Sequence, residues 1–422
     1  MTGGARVPEE RLGAGRYQPP AELPAQTRTT AHELTTHDGA AVAGLLRTVP
    51  GATSVVFLMH PRQDFSHHVL VPELLRHGFA VWTQGARSLG NDLSLLHEQA
   101  LLDMAAGQVF LRRQGFESVV NVGHSGGAAL AAFYLQQAGK APGERLTTTP
   151  GGRPVPLAEA DLPMPDGLML MAPHPGQGAL LLRMIDPSVV DEDDPLSVDP
   201  ALDPYDLANG FVAPPESSTY PAEFVERYRA AQLARIRRID AVALDRVEAA
   251  RAARKRYGAG SDPVDRRAAL ASGVLVVHRT DADLRGVDLS LDPNDRPYGS
   301  LFGSRPDLTN YGVVGFGRLT TPEAWLSTWS ATATRADLTA CAPDVHVPTL
   351  LVELTGDQAC FPDDATRFAA LIGHPDVTHV RVPGKHFGAP LRAGMTAGST
   401  LAGNRMSHWL GERFPTGSYV SA

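Results

Sequence analysis

The 422-residue sequence predicts an α/β protein, a mostly parallel sheet flanked by helices and interrupted by a large insert. Three observations carry this. Short apolar runs alternate with helical segments as far as residue 172, the alternation lapses after Pro173, and it resumes at 348. A sheet domain that is broken off and later completed is most economically one domain carrying an inserted cap.

Taken in order, residues 1–30 read as a loose arm, because Pro19, Pro20 and Pro24 discourage regular structure. The runs AAVAGLLRT (40–48) and TSVVFLM (53–59) read as strands split by a turn at Pro50-Gly51. A helical stretch over 66–76 leads through Gly78 to the strand FAVWT (79–83). In 92–114, Leu93, Leu96, Ala100, Leu101, Met104 and Val109 make a helical stripe. The strand SVVNV (118–122), a small-residue helix over 126–138 and the strand DGLMLMA (166–172) follow. Short apolar runs of this kind suit strands covered on both faces.

Residues 174–335 form the expected cap, between core segments 31–173 and 336–422. They hold acidic loops (191–206), a long helix (222–256), a strand-like VLVVH (274–278) and an aromatic-rich stretch. The long helix has ten Arg or Lys residues, but five acids are interleaved with them. Val225, Tyr228, Ile236, Ile239, Ala243 and Val247 mark an apolar stripe, so a packed helix with a solvated charged face is expected. Past the insert come PTLLVEL (348–354), a helix over 363–372, VTHVRV (377–382) and a last helix over 397–412.

Composition narrows the function. The net charge of −8 speaks against a nucleic-acid-binding surface, which needs a basic stripe. No run reaches the roughly 18 apolar residues of a membrane span, and the first thirty residues lack the apolar core of a secretory signal. Cys341 and Cys360 are the only cysteines, and reduced thiols in a cytoplasmic enzyme are the expectation.

The chemistry centres on Gly123-His124-Ser125-Gly126-Gly127, a G-x-S-x-G sequence between a strand and a helix, which is the context a nucleophile elbow requires. Side chains two residues either side of the serine would collide with backbone in so sharp a turn, and glycine removes the collision. A serine hydroxyl needs a base, and the base an orienting acid. His386, on a loop just past the last predicted strand, is placed at the same sheet edge as Ser125. Asp357, on the turn after 348–354, is the expected acid, with Glu353, Asp363 and Asp364 as rivals. One oxyanion donor is the backbone N–H of Gly126. The second is expected from the loop Met59-His60-Pro61-Arg62, where Pro61 has no N–H and Arg62 is the candidate.

These residues resemble the α/β-hydrolase superfamily. The likeness covers about 35–173 and 340–414, and rests on His60, the stretch Gly85–Asp92, the elbow, Gly356-Asp357 and His386. It departs at His60-Pro61, where the family has His-Gly. The resemblance implies an eight-stranded, mostly parallel sheet with the active site under the cap. A serine nucleophile favours esters, thioesters, lactones or amides, and less commonly carbon–carbon bonds in diketones.

The expectation is therefore a serine hydrolase cleaving a carboxylic ester of a partly apolar small molecule through an acyl-enzyme, with no cofactor and no metal. A carbon–carbon hydrolase with the same triad and a non-catalytic ligand-binding protein of the same fold are the alternatives. His60, His124 and His174 are expected at the substrate. Tyr298, Phe302, Tyr311, Phe316, Trp325 and Trp329 suit either an apolar pocket or the cap's own core. His67 and His68 lack a companion carboxylate at ligand spacing, and Asp292, Asp295 and Glu323 make no calcium loop. A homo-oligomer is compatible with the sequence.

Overall fold

The apolar runs become hydrogen-bonded strands in a computed structural model that describes residues 22–414. In chain order they are β1 (Arg28–Thr35), β2 (Ala41–Thr48), β3 (Ser54–His60), β4 (Ala80–Gly85), β5 (Ser118–His124), β6 (Gly167–Met171), β7 (Leu275–Val276), β8 (Leu319–Thr320), β9 (Thr349–Leu354) and β10 (Val377–Val382). Eight of them form one sheet in the order β1-β2-β4-β3-β5-β6-β9-β10. Within this sheet only β2 runs against its neighbours, pairing antiparallel with β1 and with β4, and the sheet's other pairings are parallel.

Side chains of a strand point alternately to its two faces. On β3, Val55, Phe57 and Met59 enter one core, shared with the helices His97–Arg113 and Gly126–Ala138. Val56 and Leu58 enter the other, shared with the helices Val71–Arg76 and Gly398–Arg413. All five are essentially inaccessible to water, and each contributes roughly 1.5–3 kcal/mol of burial. The sheet is thus covered on both faces, as the apolar runs require.

Two expectations shift. The expected arm over 1–30 ends sooner, because β1 begins at Arg28; residues 1–21 of that arm lie outside the described residues. The strand-like 274–278 shrinks to the two residues of β7, paired with β8, because Val274 and Val276 face solvent while Leu275 and Val277 are buried.

Between β6 and β9 the chain forms the helix Gln177–Met184, the long helix Ala222–Gly260 and shorter elements. At about 1.5 Å per residue the long helix measures close to 58 Å. Its stripe of Ile236, Ile239, Ala243 and Val247 packs with Leu181, Ile185, Trp325 and Trp329 in a separate apolar core. The charged face is not wholly solvated. Arg235 is fully buried, donating to the Glu192 carboxylate at 2.8 and 2.6 Å and to the carbonyls of Asp186 and His278. A buried guanidinium is tolerable only when so paired. Trp325 donates from Nε1 to Asp240 at 2.7 Å, so Trp325 and Trp329 belong to that core rather than to a pocket.

This layer is tied to the sheet near the end of β3. The backbone N–H of His97 donates to Ser327 Oγ, whose hydroxyl donates to Glu98 at 2.6 Å. Thr328 Oγ1 donates to the Leu95 carbonyl at 3.0 Å.

Candidate active site

At the end of β5 the chain reverses into the helix Gly126–Ala138 through one residue, Ser125, held at φ 57° and ψ −126°. L-residues adopt that conformation reluctantly. Two glycines make it feasible. A Cβ on Gly123 would lie 2.5 Å from Ala128 Cα, and one on Gly127 would lie 2.8 Å from the Met59 carbonyl oxygen. The Ser125 N–H donates to the Met171 carbonyl of β6 at 3.1 Å, which pins the turn to the sheet.

His386 follows β10 and Asp357 follows β9, so both rise from the sheet edge that presents Ser125. His386 Nε2 lies 2.9 Å from Ser125 Oγ, and its Nδ1 lies 2.8 and 2.9 Å from the two Asp357 oxygens. The carboxylate fixes the ring proton on Nδ1, leaving Nε2 free to accept from the serine hydroxyl. Asp357 is itself held: its Oδ1 accepts the N–H groups of Ala359 at 2.7 Å and Cys360 at 3.0 Å. All three residues are buried. The rival acids are occupied elsewhere, Glu353 with His379 and Arg381, Asp364 with Arg285, while the Asp363 N–H binds Asp292.

The donors expected for an oxyanion divide. Gly126 opens its helix, where a backbone N–H has no intrahelical acceptor. The Arg62 N–H does not play the part expected of it. It donates to His60 Nδ1 at 3.0 Å, because the bend at Pro61 folds the following backbone onto the ring, and Gln63 N–H joins it at 2.9 Å. The Arg62 side chain makes a bidentate pair with Asp92 at 2.7 and 2.6 Å and lies 4.6 Å from the Trp329 ring centroid. It thereby braces the loop after β3 against the layer between β6 and β9.

His60, His124 and His174 are all brought to this place, and all are buried. His174 Nδ1 accepts the Gly176 N–H at 3.1 Å, so its proton sits on Nε2, which faces Gly126. His68, buried beside exposed His67, lies with Nε2 2.8 Å from His124 Nδ1. Burial above all holds these rings neutral. It lowers His60 and His68 well below the ordinary imidazole range, His97 and His124 to about 4, and His174 to about 3.

Two residues went unread in the sequence. His97, at the start of its helix, and Gln177, at the start of another, stand at the same place, and Gln177 abuts Gly126. The buried His97 Nε2 and Gln177 Oε1 each lack a hydrogen-bond partner among the described residues. Each sits in an otherwise ordinary amphipathic segment, and nothing in spacing marks it.

No protein-family model matches the sequence, and a search of the curated proteins finds no match. Among solved structures, the esterase domain of a Rhodothermus marinus protein is similar with 11% identity and a TM-score of 0.41, over 91% of this chain and 98% of that one. An alpha/beta fold family hydrolase from Bacillus anthracis str. Sterne has 11% identity and a TM-score of 0.41, over 91% and 99%. Est1E from Butyrivibrio proteoclasticus has 11% identity and a TM-score of 0.42, over 90% and 98%. With β2 alone antiparallel in an eight-stranded sheet and a one-residue reversal from β5 into a helix, the chain has the α/β-hydrolase fold.

Proposed function

We propose that the protein is a serine hydrolase cleaving a carboxylic ester of a partly apolar small molecule. The observation that carries this is the continuous relay from Asp357 through His386 to Ser125, with both contacts of the imidazole under 3 Å. Ser125 Oγ adds to the carbonyl carbon while its proton passes to His386 Nε2, and the π pair moves onto the carbonyl oxygen. Collapse expels the alcohol, which takes the proton from His386. Water then repeats the sequence on the acyl-enzyme. Asp357 holds the imidazole and stabilises its charge, and the Gly126 N–H faces the oxyanion.

The surroundings support a two-sided substrate. His174, Gln177 and His97 bring polar groups, whereas Phe302, Phe316 and Phe387 cluster with Leu180, Leu301 and Ala359 beside the triad. Residues 174–335 serve in this reading as the cap that supplies most of that apolar group. A cytoplasmic setting is proposed from the two buried free thiols, Cys341 and Cys360.

Fluorophosphonate labelling, read by intact mass, tests the reading. A single adduct on the wild type that is lost in Ser125→Ala supports an activated serine. No adduct on folded wild type overturns it.

A further inference from the structure

The proposed reaction asks for two donors at the oxyanion, and the backbone of this chain supplies one. In this fold the second N–H comes from the loop after the third strand. Here Pro61 has none, and the N–H groups of Arg62 and Gln63 are both spent on His60 Nδ1. Those two bonds have a further effect. A ring nitrogen that accepts two N–H donors carries no proton, so the neutral ring of His60 bears its proton on Nε2.

That proton has no acceptor among the described residues, although the side chain is 2% exposed. The residue lies alongside the elbow: His60 Cδ2, the ring carbon next to Nε2, and His60 Cα lie 3.7 and 3.8 Å from the position a Cβ would take on Gly127, next to Gly126. Phe65 packs against the ring at 5.2 Å between centroids and keeps its plane. The ring stays uncharged near neutral pH, so it presents a neutral donor there.

We propose that the Nε2–H of His60 is the second oxyanion donor, a side chain replacing the backbone N–H that His60-Pro61 removes. The inference rests on the serine-hydrolase reading above. His174 also carries its proton on Nε2, but it follows β6, whereas His60 closes β3 and adjoins the loop from which this fold draws its donor. In the reaction the carbonyl π pair moves onto oxygen as Ser125 adds, and the His60 N–H bonds that oxygen without giving up its proton.

Two substitutions separate the donor from the loop support. Asn in His60→Asn places an acceptor near Nδ1 and nothing near Nε2. Gln in His60→Gln places an N–H near Nε2 and no acceptor near Nδ1. On an ester turned over by the wild type, His60→Asn is expected to lower kcat by roughly 10²–10³-fold with little change in KM. His60→Gln is expected to recover much of that loss, and both variants to keep the Ser125 adduct and a cooperative thermal melt. Wild-type kcat in His60→Asn overturns the proposal while leaving Ser125 in place, and so does a His60→Gln slower than His60→Asn. A wild type that neither labels nor turns over any ester overturns this proposal and the hydrolase reading together.

Discussion

The ring of His124 donates from Nε2 to the carbonyl oxygen of His386, 2.9 Å away, so the residue preceding Ser125 holds the backbone of His386. The carbonyl can only accept, which fixes the proton of His124 on Nε2 and leaves Nδ1 to accept from His68 Nε2 at 2.8 Å. His68 Nδ1 in turn accepts the Leu70 N–H at 3.3 Å. Every proton in this chain is assigned by the carbonyl at its end.

Replacing His124 and His68 together should therefore cost less than the two single replacements summed. His124→Leu frees the His386 carbonyl and leaves the His68 N–H buried without an acceptor, at a cost of about 1–3 kcal/mol. Urea denaturation of His124→Leu, His68→Leu and the double variant checks this. The double variant should be more stable than the sum of the singles by over about 0.5 kcal/mol. Simple additivity would show that the two rings do not communicate.

Asp357→Asn should keep the geometry and lose the chemistry. The N–H groups of Ala359 and Cys360 both bond Oδ1 and select the side on which the amide oxygen must lie. The amide NH₂ then takes the place of Oδ2, 2.9 Å from His386 Nδ1, and favours the tautomer with the ring proton on Nε2, where it faces Ser125 and cannot accept. A fall in kcat of about 10⁴-fold is expected, with an unchanged melt. A fall under tenfold would mean that Asp357 does not set the tautomer.

Acid should weaken the fold well above the carboxylate range. His60, His68, His97, His124 and His174 are all lowered by burial, with His97 and His124 at about 4 and His174 at about 3. The unfolded chain takes up its histidine protons near 6.5, before the folded chain does. The stability from these groups is thus full above about pH 6.5 and declines as pH falls through 5 toward the folded values. Asp281, raised by burial to about 6, has the opposite sign and offsets roughly one proton of the slope. Denaturant midpoints should fall between pH 7.5 and 5, with a net uptake of several protons on unfolding. A flat profile would refute the assignment of neutral, buried rings.

What the sequence disclosed followed from period and position. Val55 to Met59 read as a doubly covered strand because every residue is apolar, and Ser125, Asp357 and His386 were found from where they stand relative to strands and helices. Strand β1 escaped because Thr29, His32 and Glu33 give it no apolar face; it is an edge strand, largely exposed. The fate of the Arg62 N–H escaped for another reason. Whether a backbone donor faces a pocket or a neighbouring ring depends on a few degrees of loop geometry, which no residue pattern encodes. His97 and Gln177 were likewise hidden, since side chains that meet across a site from separate helices have no common spacing.

The positive φ of Ser125 carries a thermodynamic corollary. A residue that glycine would occupy without strain is instead a serine, so stability is forgone at the position the proposed reaction needs most. Ser125→Gly should therefore melt higher than the native protein while losing the proposed turnover. On the proposed reading catalysis and durability pull against each other within a single dihedral angle, and a search for hardier variants that ignored turnover would be drawn to discard Ser125.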